Sequence, residues 1–227
     1  WSGSLTVNSP NEQIKSISNY AVPHRVVANL SYNIKNTSIG IYYSGAHQGR
    51  YSYYYSNDVN GDGISNDLMY IPESTAQMKF ANITSGTTVL FTADQQRAAF
   101  DKFISDNNLD EYRGKVAPRN AFLMPWNNRF DVRLSQTLFK NMATKGDKVQ
   151  ISLDVLNFGN LLNSDWGIQD YNVSSYGAAI LSRSGALSPD PTFTMLREGS
   201  KLAEKPYRDA STTSTTWSAM LGFKYSF

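Results

Sequence analysis

The sequence of 227 residues lacks cysteine and contains only two histidines. The absence of cysteine excludes disulfide scaffolds and cysteine-ligated zinc or iron–sulfur centres, and two histidines leave little material for a histidine-rich metal centre. An excess of charge of one sign is also lacking, because 21 basic residues face 19 acidic ones. This balance gives no electrostatic reason to expect nucleic acid as a partner.

Long apolar runs are absent as well. A membrane-spanning helix needs roughly 18 consecutive apolar residues, and the stretches here, such as residues 121–126, are far shorter. The sequence therefore excludes a helical membrane protein but not a membrane β-barrel, in which apolar and polar residues alternate. The chain starts at Trp1 with neither an initiator methionine nor a signal peptide, so we expect a mature product or a fragment.

What the sequence does contain is apolar residues at every second position. In residues 217–227 all the odd positions are apolar, whereas the even positions are small or polar apart from Met220. This period is typical of β-strands with one apolar and one polar face. The same alternation occurs in four further segments, which are residues 25–35, 38–44, 129–140 and 149–155. In the third of these segments the predicted apolar face consists of Phe130, Val132, Leu134 and Leu138.

The lengths of these segments and of their connections favour a membrane barrel. Segments of ~10–12 residues are long for globular strands and near the ~9–11 that cross a bilayer. Short turns at residues 36–37 and 141–148 alternate with connections of about 45–128 and 160–216. Outer-membrane barrels combine short periplasmic turns with long external loops, whereas soluble domains seldom have loops of this length. Because five strands cannot close a barrel, we expect the chain to be part of a larger one.

Four motifs lie in and around these segments. They are PHRVVANLSY at residues 23–32, DVNGDGISNDLMYIP at 58–72, MPWNNRFDVRL at 124–134 and LDVLNFGNLLN at 153–163. They resemble the C-terminal end of TonB-dependent outer-membrane transporters of the Oar-like type, which carries an N-terminal carboxypeptidase-regulatory-like domain.

The resemblance implies a 22-stranded barrel with an inserted plug, of which this chain supplies the last five strands. It also implies energised uptake through the TonB complex, in the outer membrane of a Gram-negative bacterium. The implied partners are outer-membrane lipid, the rest of the same barrel with its plug, and the barrel-assembly machinery. Tyr225 and Phe227 are similar to the terminal signal that this machinery reads.

Together these observations predict an all-β fold, as a transmembrane antiparallel β-barrel segment with long extracellular loops, one containing a short helix. The helix is expected over residues 92–108, because Thr92 and Gln95 form a capping box. Its apolar stripe packs on its own loop or docks a surface lipoprotein. The predicted segments are an extracellular loop end (1–23), a hairpin (24–44), a long extracellular loop (45–128), a second hairpin (129–160), an extracellular loop (161–215) and the terminal strand (216–227).

The loop around residue 60 matches the first half of a calcium-binding loop. Oxygen donors stand at its first, third and fifth positions, and Gly63 follows at the sixth. Position 12 is Met69 instead of glutamate, so a residue shortly before it would have to complete the site. The same residue types also favour tight turns without a metal, and both interpretations stay open. The predicted calcium ligands are Asp58, Asn60, Asp62, Ile64, Asn66 and Asp67.

Two further sets of side chains are candidates for function. The tyrosines before the calcium loop either stack on sugar or peptide ligands or belong to the aromatic girdle at the lipid headgroups, and we favour the girdle. These are Tyr51, Tyr53, Tyr54 and Tyr55. Charged residues on the polar strand faces are predicted to line the barrel lumen, as a substrate path or as ion pairs between strands. These are Arg129, Asp131, Arg133 and Asp154.

Two other functions stay open beside transport. One is a secreted, calcium-stabilised β-rich binding or adhesion module, and the other is a passive barrel anchor in the outer membrane. No catalytic residues are predicted, because the sequence suggests neither a Ser-His-Asp arrangement nor a phosphate-binding loop. The chain is therefore predicted not to be an enzyme, and the sequence does not specify a substrate.

Overall fold

The computed structural model describes residues 4–9, 11, 14–174, 177–210, 212–213 and 215–227. Within these residues the chain is mostly β-strand, which confirms the all-β class, and the described strands do not close into a barrel. The predicted segment 1–23 includes residues 1–3, 10 and 12–13, and segment 161–215 includes 175–176, 211 and 214. Those positions lie outside the described residues. No described helix is long and apolar enough to cross a membrane.

The described strands and helices are numbered in chain order. The strands are β1 (Arg25–Ile34), β2 (Thr37–His47), β3 (Arg50–Tyr51), β4 (Tyr53–Tyr55), β5 (Tyr70–Ile71), β6 (Lys79–Phe80), β7 (Ile83–Ser85), β8 (Thr88–Phe91), β9 (Lys115–Val116), β10 (Phe122–Leu123), β11 (Trp126–Lys140), β12 (Lys148–Leu156), β13 (Gln169–Asn172), β14 (Ala178–Ser184), β15 (Thr192–Met195), β16 (Arg197–Glu198), β17 (Lys201–Leu202), β18 (Tyr207–Ala210) and β19 (Ser218–Ser226). The α-helices are α1 (Ala93–Asp106) and α2 (Phe158–Leu162), and the 3₁₀ turns are Thr75–Gln77 and Asp110–Tyr112.

The chain divides into two compact units, each built from several stretches of sequence. The first unit comprises Trp1–Ala21, Gly49–Leu123 and Tyr171–Arg208. The second unit comprises Val22–Gln48, Met124–Asp170 and Asp209–Phe227. The stretches predicted as long extracellular loops, one of them with a short helix, form most of the first unit and contain further strands.

The second unit contains a five-stranded sheet in the order β1-β2-β11-β12-β19, and every neighbouring pair is antiparallel. All five predicted strands are present. Strand β2 continues to His47, β11 begins at Trp126 and β12 ends at Leu156, so the predicted boundaries 24–44 and 129–160 shift by a few residues. The two long connections leave the sheet at one end, and both short turns lie at the other end.

The two short turns differ in construction. Between β1 and β2 the turn residues are Lys35 and Asn36 rather than residues 36–37, because Ile34 and Thr37 are paired in the register. Lys35 has a φ of 51°, which is the left-handed conformation that a tight hairpin turn requires. In the turn at residues 141–147 the Asp147 carboxylate accepts the N–H groups of Met142 and Ala143, both at 2.7 Å.

A β-bulge changes one predicted face. The pairing of β11 with β12 shifts between Thr137 and Phe139, so that Phe139 stands opposite Val149. Alternation assigns Leu138 to the apolar face, but Phe139 takes its place in the row of Val149. A bulge adds one residue to a strand and reverses the parity of the residues after it, which a strict two-residue period does not anticipate.

The first unit is organised by a four-stranded sheet and helix α1. The sheet order is β4-β14-β15-β6, with β14 and β15 antiparallel and the two outer pairs parallel. Helix α1 begins after Thr92 and has the predicted capping box: the Gln95 N–H donates to the Thr92 hydroxyl at 3.2 Å, and the Thr92 N–H donates to Gln95 Oε1 at 2.8 Å. The predicted helix is confirmed.

The interior of the first unit lies between this helix and the sheet. Phe100, Phe103 and Ile104 on α1 are buried, as the apolar stripe predicts. Gln96, which is also fully buried, donates to the Ala81 carbonyl at 2.6 Å and accepts the Met195 N–H at 3.0 Å. Because a buried amide is stable only when its polar atoms are paired, these bonds fix the helix against the strands.

Candidate functional site

The sheet of the second unit has one mostly apolar face, which Thr37 and Gln136 interrupt in one row. The register aligns the apolar residues of neighbouring strands, so that they form rows across the sheet. Two rows cross all five strands: Leu30, Ile41, Val132, Val155 and Ala219 in one, and Tyr32, Ile39, Leu134, Leu153 and Leu221 in the next.

This apolar face is largely uncovered. Leu30 is 66% exposed, Leu221 72% and Phe223 74%. Burying a side chain of this size stabilises a protein by about 1.5–3 kcal/mol, and soluble monomers rarely leave a contiguous apolar patch of this kind open. We therefore expect an apolar neighbour, either lipid or protein, to cover this face.

Aromatic side chains stand at both ends of this face. At the end from which the long connections leave, Tyr43 and Phe130 pack with ring centroids 4.8 Å apart, and Trp126 contacts His47 edge-on at 5.3 Å. At the turn end the row contains Phe139, Val149 and Tyr225. Each of these residues lies near the end of an alternating segment, but the sequence analysis assigned none of them to an aromatic girdle.

The opposite face carries the four charged residues predicted to line a lumen. Arg133 and Asp154 are directly opposed on β11 and β12, and their side chains pair at 3.5 Å. Arg129 and Asp131 pair at 3.2 Å along β11. The first pair is the ion pair between neighbouring strands that the sequence left open beside a substrate path. Pairs of this exposure contribute about 0–1 kcal/mol to stability.

The chain terminus lies beside the turn at residues 141–147. The Tyr225 hydroxyl donates to the Asp147 carboxylate at 3.3 Å, and the Tyr225 and Phe227 rings have centroids 6.0 Å apart. Phe227 is almost fully exposed. The hydrogen bonds from main-chain N–H groups of the turn, first among them that of Ala143, lower the pKa of Asp147. The role of Tyr225 and Phe227 as an assembly signal stays a prediction.

The tyrosines at residues 51–55 occupy a different place from the one predicted. All four are buried in the first unit. Tyr53 packs edge-on against Phe122 at 4.6 Å, and Tyr55 stacks on Phe193 at 5.3 Å. Because their rings are covered by protein, Tyr51, Tyr53, Tyr54 and Tyr55 are core residues. Both the ligand-stacking interpretation and the girdle interpretation of these residues are wrong.

Burial also changes the acidity of these phenols. Desolvation raises the pKa of Tyr51 to about 12 and that of Tyr55 to about 12, and it raises the pKa of Tyr53 as well. The cause is that a phenolate loses its hydration in the interior. These pKa shifts result from burial in the core, where Tyr53 has no exposed surface.

The predicted calcium loop joins β4 to β5 and is closed by hydrogen bonds from its own main chain. Asp58 accepts the N–H groups of Gly61 at 2.6 Å and Gly63 at 3.0 Å, and Asp62 accepts that of Ile64 at 2.8 Å. Among the described residues, no three His, Cys, Asp or Glu side chains stand close enough to hold a metal. Calcium at this loop stays a prediction, and it depends on amide and main-chain oxygens as well as carboxylates.

Comparisons with protein families, with curated proteins and with solved structures found no match to this chain. The described residues themselves define a mostly-β chain, with a five-stranded, amphipathic antiparallel sheet in one unit and a second folded unit built largely from the connections of that sheet.

Proposed function

We propose that this chain is the C-terminal part of an outer-membrane β-barrel transporter that is energised through TonB. The sheet of the second unit forms part of the barrel wall, and the first unit is built from the extracellular loops. The observation that carries the proposal is the open apolar face, whose rows continue across all five strands. In a membrane barrel this face is covered by lipid, and the charged face lines the lumen.

The dimensions of the sheet support a membrane location. From Phe130 to Phe139 the β11 strand advances by nine residues, about 30 Å at ~3.3 Å per residue. A tilt of roughly 40° reduces this to ~23 Å along the membrane normal, close to the ~25 Å apolar band of outer-membrane barrels. The aromatic residues at both ends of the apolar face then stand at the two headgroup levels.

The edges of the sheet support a larger barrel. Strands β1 and β19 each have one neighbour among the described residues, and a free sheet edge is unstable in lipid because its N–H and C=O groups stay unpaired. We propose that strands of the same barrel pair with both edges. The resemblance of four sequence motifs to TonB-dependent transporters supports a 22-stranded barrel with a plug as the complete protein.

The remaining partners are inferred from the same resemblance. Barrel-assembly machinery would read the terminal strand with Tyr225 and Phe227, and the TonB complex would act through the plug. A surface lipoprotein is the candidate partner for the extracellular loops. None of these roles requires the chain to be an enzyme.

Fractionation tests the proposal. Cells that produce the protein are separated into soluble, inner-membrane and outer-membrane fractions, and the chain is detected with an antibody. The chain is expected in the outer-membrane fraction, where detergent should extract it and salt or alkali should not. Recovery as a monodisperse soluble protein without detergent would contradict it and would favour a secreted module. The sequence upstream of residue 1 distinguishes the two barrel functions: a plug domain there supports a transporter, and its absence supports a passive barrel anchor.

A further inference from the structure

The loop at residues 58–67 of the first unit carries oxygen donors at closely spaced positions. Asp58, Asn60 and Asp62 supply side-chain oxygens at alternate positions, and Ile64 supplies a main-chain oxygen. Gly61 and Gly63 have φ values of 85° and 83°, which allow the main chain to curl tightly. Such a turn also forms without a metal, so the curl alone does not indicate a ligand.

A second observation does indicate a ligand. Asn66 and Asp67 are 2% and 3% exposed, and Oδ1 of each has no hydrogen-bond partner among the described residues. Asp67 is turned toward the loop, because its Oδ2 accepts the N–H groups of Val59 at 2.7 Å and Asn60 at 3.2 Å. Leaving a buried acceptor unpaired is unfavourable, and more so when the group is charged.

The carboxylates of the loop are paired with main-chain N–H groups and not with cationic side chains of the described residues. Within the described part of the chain, no ion pair includes Asp58, Asp62 or Asp67. The nearby Arg183 guanidinium instead donates to the main-chain oxygen of Asp58 at 2.8 Å. Three carboxylates that share one loop repel each other, and a bound cation would remove that repulsion.

We propose that residues 58–67 bind one calcium ion. The ligands are Asp58, Asn60, Asp62, the main-chain oxygen of Ile64, Asn66 Oδ1 and Asp67. Calcium accepts six to eight oxygens in a flexible arrangement, whereas magnesium requires a small octahedron and keeps several waters. Zinc prefers nitrogen and sulfur, and none of the proposed ligands supplies either. The carboxylates do not yet converge, so the loop contracts when the ion binds.

The proposed ion would also fix the segment at residues 4–8. Thr6 pairs with the loop on both sides: its N–H donates to the Asn66 carbonyl at 3.0 Å, and its carbonyl accepts the Leu68 N–H at 2.8 Å. The Asn66 side chain donates to the Ser4 carbonyl at 2.7 Å, and Leu5 is packed in a cluster with Leu68. Calcium therefore stabilises the attachment of this segment, independently of whether the second unit lies in a membrane.

Calorimetry of the whole chain in detergent tests the binding. After treatment with a chelator, the chain is titrated with calcium chloride and, separately, with magnesium chloride. We expect one calcium per chain with a Kd at or below about 1 mM, and much weaker binding of magnesium. No heat of binding, or equal affinity for the two ions, overturns the proposal.

Two variants locate the ion. Asp58→Asn removes one ligand charge and is expected to weaken calcium binding at least 10-fold, whereas Asp101→Asn makes the same change at an exposed residue of the same unit and leaves the affinity unchanged. Near-ultraviolet circular dichroism establishes that both variants are folded. Equal affinities of Asp58→Asn and the unsubstituted chain overturn the assignment.

Hydrogen exchange measured by mass spectrometry tests the attachment of residues 4–8. At a calcium concentration about 100 times the Kd, the bound ion lowers the population of the locally open state, so exchange is expected to slow about 100-fold. The slower exchange covers the amides of Thr6 and Leu68, and helix α1 serves as the internal reference. Exchange at Thr6 that does not respond to calcium contradicts the proposed coupling, even if calorimetry detects the ion.

Discussion

The two units differ in the exposure of their aromatic side chains. In the first unit Tyr53 is 0% exposed and lies in a closed interior with aromatic neighbours. In the second unit Tyr32 is 61% exposed and stands in a row of open apolar residues. The first unit buries its aromatic residues as a water-soluble domain does, whereas the sheet presents them outward. The proposed membrane wall accounts for this difference, since lipid would cover the aromatic residues of the sheet.

The largest expected effect comes from removing a buried ring. Tyr53→Ala leaves a cavity in the first unit and is expected to lower its free energy of unfolding by about 3–5 kcal/mol. Tyr32→Ala, the same substitution on the open face, is expected to change stability by less than about 1 kcal/mol. Denaturant titration followed by near-ultraviolet circular dichroism measures both. Equal losses for the two variants would remove the distinction between the units.

A charge on the apolar face should have the next largest effect. Leu30→Arg places a guanidinium in the middle of β1, where lipid contact makes it cost about 2–4 kcal/mol. Ser31→Arg, one residue further along, points to the opposite face and should cost at most about 1 kcal/mol. The measurement is the fraction of protein that folds into lipid, read from its heat-dependent mobility in detergent gels. If both variants fold as well as the unsubstituted protein, then lipid does not cover this face.

Alkaline pH should affect the first unit selectively. Burial raises the pKa of Tyr51 to about 12 and of Tyr55 to about 12, so the folded state keeps protons that the unfolded state releases from pH ~10 upward. The contribution to stability is complete below pH ~10 and falls as the pH rises toward 12. Ultraviolet absorbance of phenolate, recorded together with near-ultraviolet circular dichroism, detects both events. Replacing both residues by phenylalanine should reduce the dependence, and an unchanged dependence would show that other groups cause it.

The smallest effect is expected at the turn of residues 141–147. The pKa of Asp147 is lowered in the folded state, so its contribution to stability is present above the ordinary aspartate pKa and is lost as the pH falls through the lowered value. Asp147→Asn should therefore destabilise the second unit at neutral pH and have no effect in strong acid. Thermal unfolding at several pH values measures this, with the exposed Asp165→Asn as control. A loss that is the same at every pH would point to packing instead of charge.

Part of this fold can be predicted from sequence because some elements carry a local signal. The five strands of the second unit alternate between apolar and polar residues, because one face of each is mostly apolar. Helix α1 is predicted by the capping box of Thr92 and Gln95 and by the apolar stripe of Phe100, Phe103 and Ile104. These signals are local, and each depends on residues only a few positions apart.

The rest of the fold depends on contacts between distant residues. Strand β14 pairs with β4, so that Ala178 stands opposite Tyr53, and no local pattern specifies a parallel partner so far along the chain. The run Tyr53–Tyr55 is buried on both sides, so it has no alternation that would distinguish a core strand from a membrane girdle. For the calcium loop, the spacing of Asp58, Asn60 and Asp62 was visible, but the unpaired oxygens of Asn66 and Asp67 required the structure.

Spin labels on neighbouring residues test the central claim most directly. Because these 227 residues contain no cysteine, a cysteine introduced at Leu30 or at Ser31 is the one labelling site within them. The labels are placed in the protein in its native membrane, and collisions with oxygen and with a water-soluble nickel complex are compared. Lipid contact of the apolar face predicts that the label at Leu30 collides with oxygen and the label at Ser31 with nickel. Equal collisions with nickel at both positions would contradict a membrane wall.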